Sequence, residues 1–117
     1  MSTAYRLYGI ANCDTVKKAR NWLALHELDY QFHDFKTAGI PPELQAWVAQ
    51  LGWEKLLKKT GTTWRNLPES ERTPLDSHHA LILMQQHYNL IKRPLLTKDK
   101  QVLLTGFKEI EWTKTLT

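Results

Sequence analysis

Between Tyr5 and Phe35 the hydrophobic period changes twice, and this limits the fold more than any other feature of the chain. Tyr5 to Ile10 reads as a short strand, with Leu7 and Ile10 set around Tyr8 and Gly9. From Asp14 to His26 the pattern becomes helical, since Val16, Ala19 and Leu23 recur on one face. The stretch "LDYQFHDF" then alternates Tyr30, Phe32 and Asp34 against Gln31, His33 and Phe35, which predicts a second strand. Two strands joined through a helical crossover of roughly 16 residues pair in parallel, because a hairpin cannot return the chain in the same direction. The opening segment therefore predicts an α/β sheet.

The rest of the chain extends that unit. Gly39 and Pro41-Pro42 stop the strand and open a helix whose Leu44, Trp47, Val48 and Leu51 form one apolar stripe. Gly52 ends or bends this helix, and Trp53 to Lys58 begins another turn or two. The stretch "KTGTTWRNLPESERTP" is loop-rich, with room for short helical turns. Asp76 or Ser77 caps a helix carrying Ala80, Leu81, Leu83, Met84 and Tyr88. After Arg93-Pro94, the segments "LLT" and "QVLLT" around "KDK" predict a terminal hairpin. A last helix follows Gly106, with Phe107, Ile110 and Leu116 expected to face inward. The order is βα, β, several helices, ββ, α. This is a thioredoxin-like layout: a mixed sheet of about four strands with a helical insertion at about 41–89, within one domain over 1–117.

Composition narrows the function classes. The chain is 42% hydrophobic and 24% charged, the balance of an ordinary globular domain. No apolar run reaches the roughly 18–20 residues that span a bilayer. "MSTAYRLYGI" lacks the charged and apolar regions of a secretory leader. A single cysteine forms no internal disulfide, so a cytoplasmic protein is expected, and we expect it to be a monomer. The net charge of +4 comes from short pairs such as Lys17-Lys18 and Lys58-Lys59, with acidic residues among them. That is not the basic stripe of a nucleic-acid binder. His78, His79 and His87 lack cysteine neighbours and the i, i+4 spacing of a helical metal site, so no metal is expected. Gly9 stands alone, which excludes a Gly-rich phosphate loop. Trp47 belongs to the apolar stripe, and Trp53, Trp64 and Trp112 are expected in core or rim packing.

Chemistry concentrates on Cys13, at the strand-to-helix junction. A lone cysteine there either fills a gap between helix and sheet or is reactive. The junction itself favours a thiolate, because free N–H groups and the positive end of the helix dipole stabilise an anion. Thr15 adds a hydroxyl, and Lys17, Lys18 and Arg20 add positive charge, whereas Asp14 opposes ionisation unless it points away. Position 16 holds Val16, so an intramolecular Cys-x-x-Cys cycle is excluded and any redox chemistry is monothiol. Arg93 is the second candidate. It precedes Pro94 at a bond that can be cis, and its planar fork suits an oxyanion or a carboxylate.

The blocks "YGIANCDTVKKARNWL", "FHDFKTAGI", "LLKKTGTTWR", "IKRPLL" and "LLTGFKE" together resemble the arsenate reductase (ArsC)/Spx family, and most of all its YffB-type branch. The resemblance implies a thioredoxin-like fold with a helical insertion and a nucleophilic cysteine at the end of the first strand, here Cys13. Arsenate reductases of this class draw reducing equivalents from glutathione and glutaredoxin and hold the oxyanion with three arginines. The arginine of the Arg-Pro pair matches Arg93, and a second matches Lys58. The third falls near Thr105-Gly106, where there is none. An ammonium in place of a fork and a missing charge make a poor oxyanion site, so arsenate reduction is the lesser alternative. The resemblance instead implies a glutathione-dependent monothiol reductase, with glutathione as co-substrate and no bound cofactor. Cys13 and Arg93 would be its catalytic residues, and Asn12, Asp14, Thr15, Lys58, Arg65 and Pro94 its substrate contacts. Spx-type regulators, which bind RNA polymerase, are a further alternative, though Val16 removes their disulfide switch.

Overall fold

The computed structural model describes residues 4–117; the start of the stretch read above as lacking a leader, residues 1–3, lies outside them. Four strands form one mixed sheet: β1 (Tyr5–Gly9), β2 (Gln31–Asp34), β3 (Leu95–Lys98) and β4 (Gln101–Thr105), in the order β2-β1-β3-β4. The helices are α1 (Asp14–Leu25), α2 (Phe35–Ala38), α3 (Leu44–Leu51), α4 (Trp53–Leu56), α5 (Thr62–Arg65), α6 (Glu69–Arg72), α7 (Ser77–Gln86) and α8 (Glu109–Leu116). The architecture is a thioredoxin-like α/β fold with an inserted helical subdomain. Among the described residues no helix is long and apolar enough to cross a membrane. The chain divides into two compact units: a sheet unit up to Gly39 and from Arg93 to Thr117, and a helical unit from Ile40 to Lys92.

In the sheet unit, β1 and β2 pair in parallel through the α1 crossover, with Gly9 opposite Asp34 at the end of the pair. Strand β3 runs antiparallel to β1 and continues into β4 through a tight hairpin. Asp99 and Lys100 both take positive φ, 49° and 71°, as the two central residues of such a turn must. Leu7 is opposite Leu96, and Leu96 opposite Leu104, so three strands present one apolar row. Ala19, Trp22 and Leu23 of α1 and Trp112 of α8 join this row in a single core. Trp112 packs edge-on against Trp22 and donates its indole N–H to the Gly106 carbonyl at 3.0 Å, which satisfies its one polar atom.

The last helix corrects the sequence reading. Ile110 is 72% exposed, while Trp112 is fully buried. Phe107 does pack on the core, but it precedes the helix, so a period counted from it selects the wrong face. The inward face is Trp112 and, four residues on, Leu116. The second strand is also shorter than the alternation implied, because Phe35 already begins α2.

In the helical unit, Leu44, Trp47 and Val48 are buried on α3, and Gly52 at φ 87° ends that helix in a conformation glycine adopts without strain. Asp76, rather than Ser77, caps α7 by accepting from the His79 N–H at 2.8 Å. Ala80, Leu83 and Met84 form the buried face of α7, whereas Tyr88 lies beyond its end in a 3-10 turn. An isolated antiparallel bridge, Leu57 opposite Ile91, ties the unit together: Lys58 N–H donates to the Leu90 carbonyl and Lys92 N–H to the Leu56 carbonyl.

Candidate functional site

Cys13 occupies the junction between β1 and α1. A turn closes with the Cys13 N–H donating to the Ile10 carbonyl at 3.2 Å, and the Cys13 carbonyl accepts from Lys17 N–H at 2.9 Å to start the helix. The residue is the helix N-cap, with extended backbone at φ −90° and ψ 126°. The first turn of α1 thus presents its free N–H donors to the sulfur. The junction is tight. A Cβ on Gly9 would lie 2.7 Å from Val16 Cγ2, closer than packed carbon atoms come, so only glycine lets the end of β1 pass under the first turn of α1.

Partial burial is the largest influence on the Cys13 thiol, and it opposes ionisation. Against it act the Val16 backbone N–H, a hydrogen bond from the Arg93 side chain, the Thr15 backbone N–H and the charge of Arg93. Together they win, and the thiol lies below the ordinary cysteine value. Thr15 therefore contributes through its backbone N–H.

The structure brings together part of the residue set expected from sequence. Arg93 reaches Cys13 from the other end of the chain. Its bond to Pro94 is cis, and the buried Pro94 accepts from Gly106 N–H at 2.7 Å, which ties the approach to β3 to the end of β4. Asn12 lies exposed in the turn, and Asp14 is exposed on the first residue of α1. Lys17 and Lys18 are exposed as well. Arg20 is committed elsewhere: it donates to the Tyr30 hydroxyl at 2.9 Å and lies 4.3 Å from the centre of the Phe32 ring. Lys58 and Arg65 belong to the helical unit. There the Arg65 guanidinium is 3.5 Å from the Thr62 hydroxyl of its own helix. Among the described residues no group of three or more His, Cys, Asp or Glu side chains could hold a metal ion.

Two residues of the junction escaped the sequence reading. Gly9, isolated in the sequence, is the residue the helix start depends on. Asp34 is one position of an alternating strand by pattern, but its carboxylate accepts from Ala11 N–H at 3.1 Å and from Lys36 N–H at 2.8 Å. The available signal for Asp34 was an acidic residue directly before a change of period, the place of an N-cap.

The ArsC family model matches residues 8–115. This chain belongs to the ArsC family. Within it the chain falls in the YffB-like branch, since it is 44% identical to a YffB protein of known structure, with a TM-score of 0.90 and coverage of 97% of this chain and 99% of that one. An arsenate reductase (ArsC) related protein from Brucella melitensis is 42% identical, with a TM-score of 0.77 over 97% of this chain and 95% of that one. An uncharacterized protein of Haemophilus influenzae is 43% identical over 107 residues, 91% of this chain and 93% of that protein. The ArsC-family assignment is consistent with the single cysteine between β1 and α1 and with monothiol chemistry.

Proposed function

We propose that this ArsC-family protein is a glutathione-dependent monothiol reductase. In the first step the Cys13 thiolate attacks the glutathione sulfur of a mixed disulfide R–S–S–G. The old S–S bond breaks, a Cys13–glutathione disulfide forms, and the departing R–S⁻ takes a proton from water. In the second step the thiolate of free glutathione attacks the glutathione sulfur of the adduct. Oxidised glutathione leaves and Cys13 returns as thiolate. The sum is R–S–S–G + GSH → R–SH + GSSG, which needs no second protein thiol. This chain has none, since Cys13 is its only cysteine.

The observation that carries this reading is the convergence of the Val16 and Thr15 N–H groups and Arg93 on one partly buried sulfur, strong enough to outweigh burial. A cysteine used only for packing is inert and needs no such donors. Arg93 holds the thiolate ready and, as a planar donor, suits a glutathione carboxylate. The family resemblance further assigns Asn12, Asp14, Thr15, Lys58, Arg65 and Pro94 as substrate contacts and a glutaredoxin as redox partner.

The test is intact-mass spectrometry after incubation with oxidised glutathione. The expected result is one glutathione on the wild-type chain, none on Cys13→Ser, and loss of the adduct when free glutathione is added. An unmodified wild-type protein, or an adduct that free glutathione leaves in place, overturns the reading.

A further inference from the structure

We propose that Asp34 is the positioning residue of the reactive turn: its carboxylate pins Ala11 and so holds Cys13 at the start of α1. Asp34 is the last residue of β2 and stands opposite Gly9, the last residue of β1. The two parallel strands end side by side, and from there the chain must leave the sheet through Ile10, Ala11 and Asn12 to reach Cys13. The turn bond from Cys13 N–H to the Ile10 carbonyl closes this excursion from within. The anchor from outside is Asp34, whose Oδ2 accepts from Ala11 N–H at 3.1 Å. Its Oδ1 accepts from Lys36 N–H at 2.8 Å and caps α2. Each oxygen thus has its own donor, and the fixed angle between them sets the Cys13 turn against a second helix start. A charge-assisted bond of this kind is stiffer and stronger than a neutral one.

The arrangement separates Asp34 from a mere cap or a mere nearby charge. Asparagine is as good an N-cap as aspartate, so Asp34→Asn retains an acceptor for one N–H. Its amide NH₂ cannot accept, so the second N–H loses its partner. Removing a negative charge near a thiol would by itself favour the thiolate. Loosening the turn acts the other way, because the Val16 and Thr15 donors and Arg93 are then less well aligned on the sulfur. The sign of the change decides between the two roles.

The experiment is the pH dependence of Cys13 alkylation by iodoacetamide on the full chain, for the wild type, Asp34→Asn and Asp34→Ala. Asp34→Asn is expected to ionise Cys13 at higher pH than the wild type. The labelling rate below neutrality then falls severalfold, because less of the thiol is ionised there. An unchanged profile, or a shift to lower pH, overturns the proposal. Because Asp34→Ala also loses the α2 cap, amide exchange of the wild type supplies a second measurement. Ala11 N–H is expected to exchange as slowly as the amides at the end of β1, and free exchange overturns the anchor. The inference rests on Cys13 being the reactive thiol, and the readout distinguishes the failures. An ordinary thiol profile in the wild type defeats both readings, whereas a lowered wild-type profile that Asp34→Asn leaves unchanged defeats this one alone.

Discussion

The Cys13 turn and the Lys58–Arg65 stretch are both rich in polar groups, but their connections differ in reach. At Cys13, groups from three separate parts of the chain meet: Gly9 to Val16, Asp34, and Arg93. In the helical unit the side chains of Arg65 and Lys59 meet partners near in sequence. Arg65 reaches Thr62, and Lys59 lies 5.7 Å from the Trp53 ring and 5.9 Å from the Trp64 ring. Cations resting on half-exposed rings cover apolar surface with their stems, a common way to finish a small helical unit. Convergence from distant positions requires the whole sheet to be formed first. The lesson is that reach in sequence, more than density of charge, marks the constructed site.

Substitutions at five positions sharpen or break this contrast. Cys13→Ser is expected to abolish glutathione transfer while leaving the circular dichroism unchanged; residual transfer would place the chemistry elsewhere. The same variant tests linkage. A thiol whose folded value lies below its unfolded value stabilises the fold fully above about pH 8.5, and that contribution fades as pH falls through the folded value. The stability advantage of the wild type over Cys13→Ser should therefore grow from pH 6 toward about pH 9 in urea titrations. Arg93→Lys keeps the charge and loses the fork, so Cys13 should ionise at a higher pH than in the wild type, with Arg93→Ala higher still. Equal profiles for all three would remove Arg93 from the site. Gly9→Ala forces a methyl against Val16 and should cost about 1–3 kcal/mol in denaturant unfolding as well as slow alkylation. Lys58→Ala and Arg65→Ala should leave the alkylation profile within error. If they contact glutathione, they will raise the KM for glutathione instead.

How much of this was legible in the sequence depended on whether the cause was local. The strand β1, the helix α1 and the terminal hairpin follow from periodicity and turn chemistry, which short segments carry by themselves. Cys13 was visible because a lone cysteine at a junction is conspicuous, and Arg93 because an Arg-Pro pair is. Asp34 and Gly9 were not visible, because what matters about them is a neighbour across the sheet. No pattern within "FHDF" says that the carboxylate meets Ala11, and none within "YGI" says that Val16 sits on Gly9. Ile110 failed for a related reason: the helix begins two residues after Phe107, and a helical period is only as good as its origin.

The donors at the start of α1 also have a kinetic side. In thiol–disulfide exchange the sulfur that is displaced most readily is the one most stable as an anion. The donors that lower the Cys13 thiol would therefore act twice, once when it attacks and again when glutathione expels it from the adduct. Each thiolate is somewhat less nucleophilic when its pKa is lower, but near neutral pH the larger thiolate fraction outweighs this, so entry and exit are both hastened. A cysteine set at this helix start is built to let go.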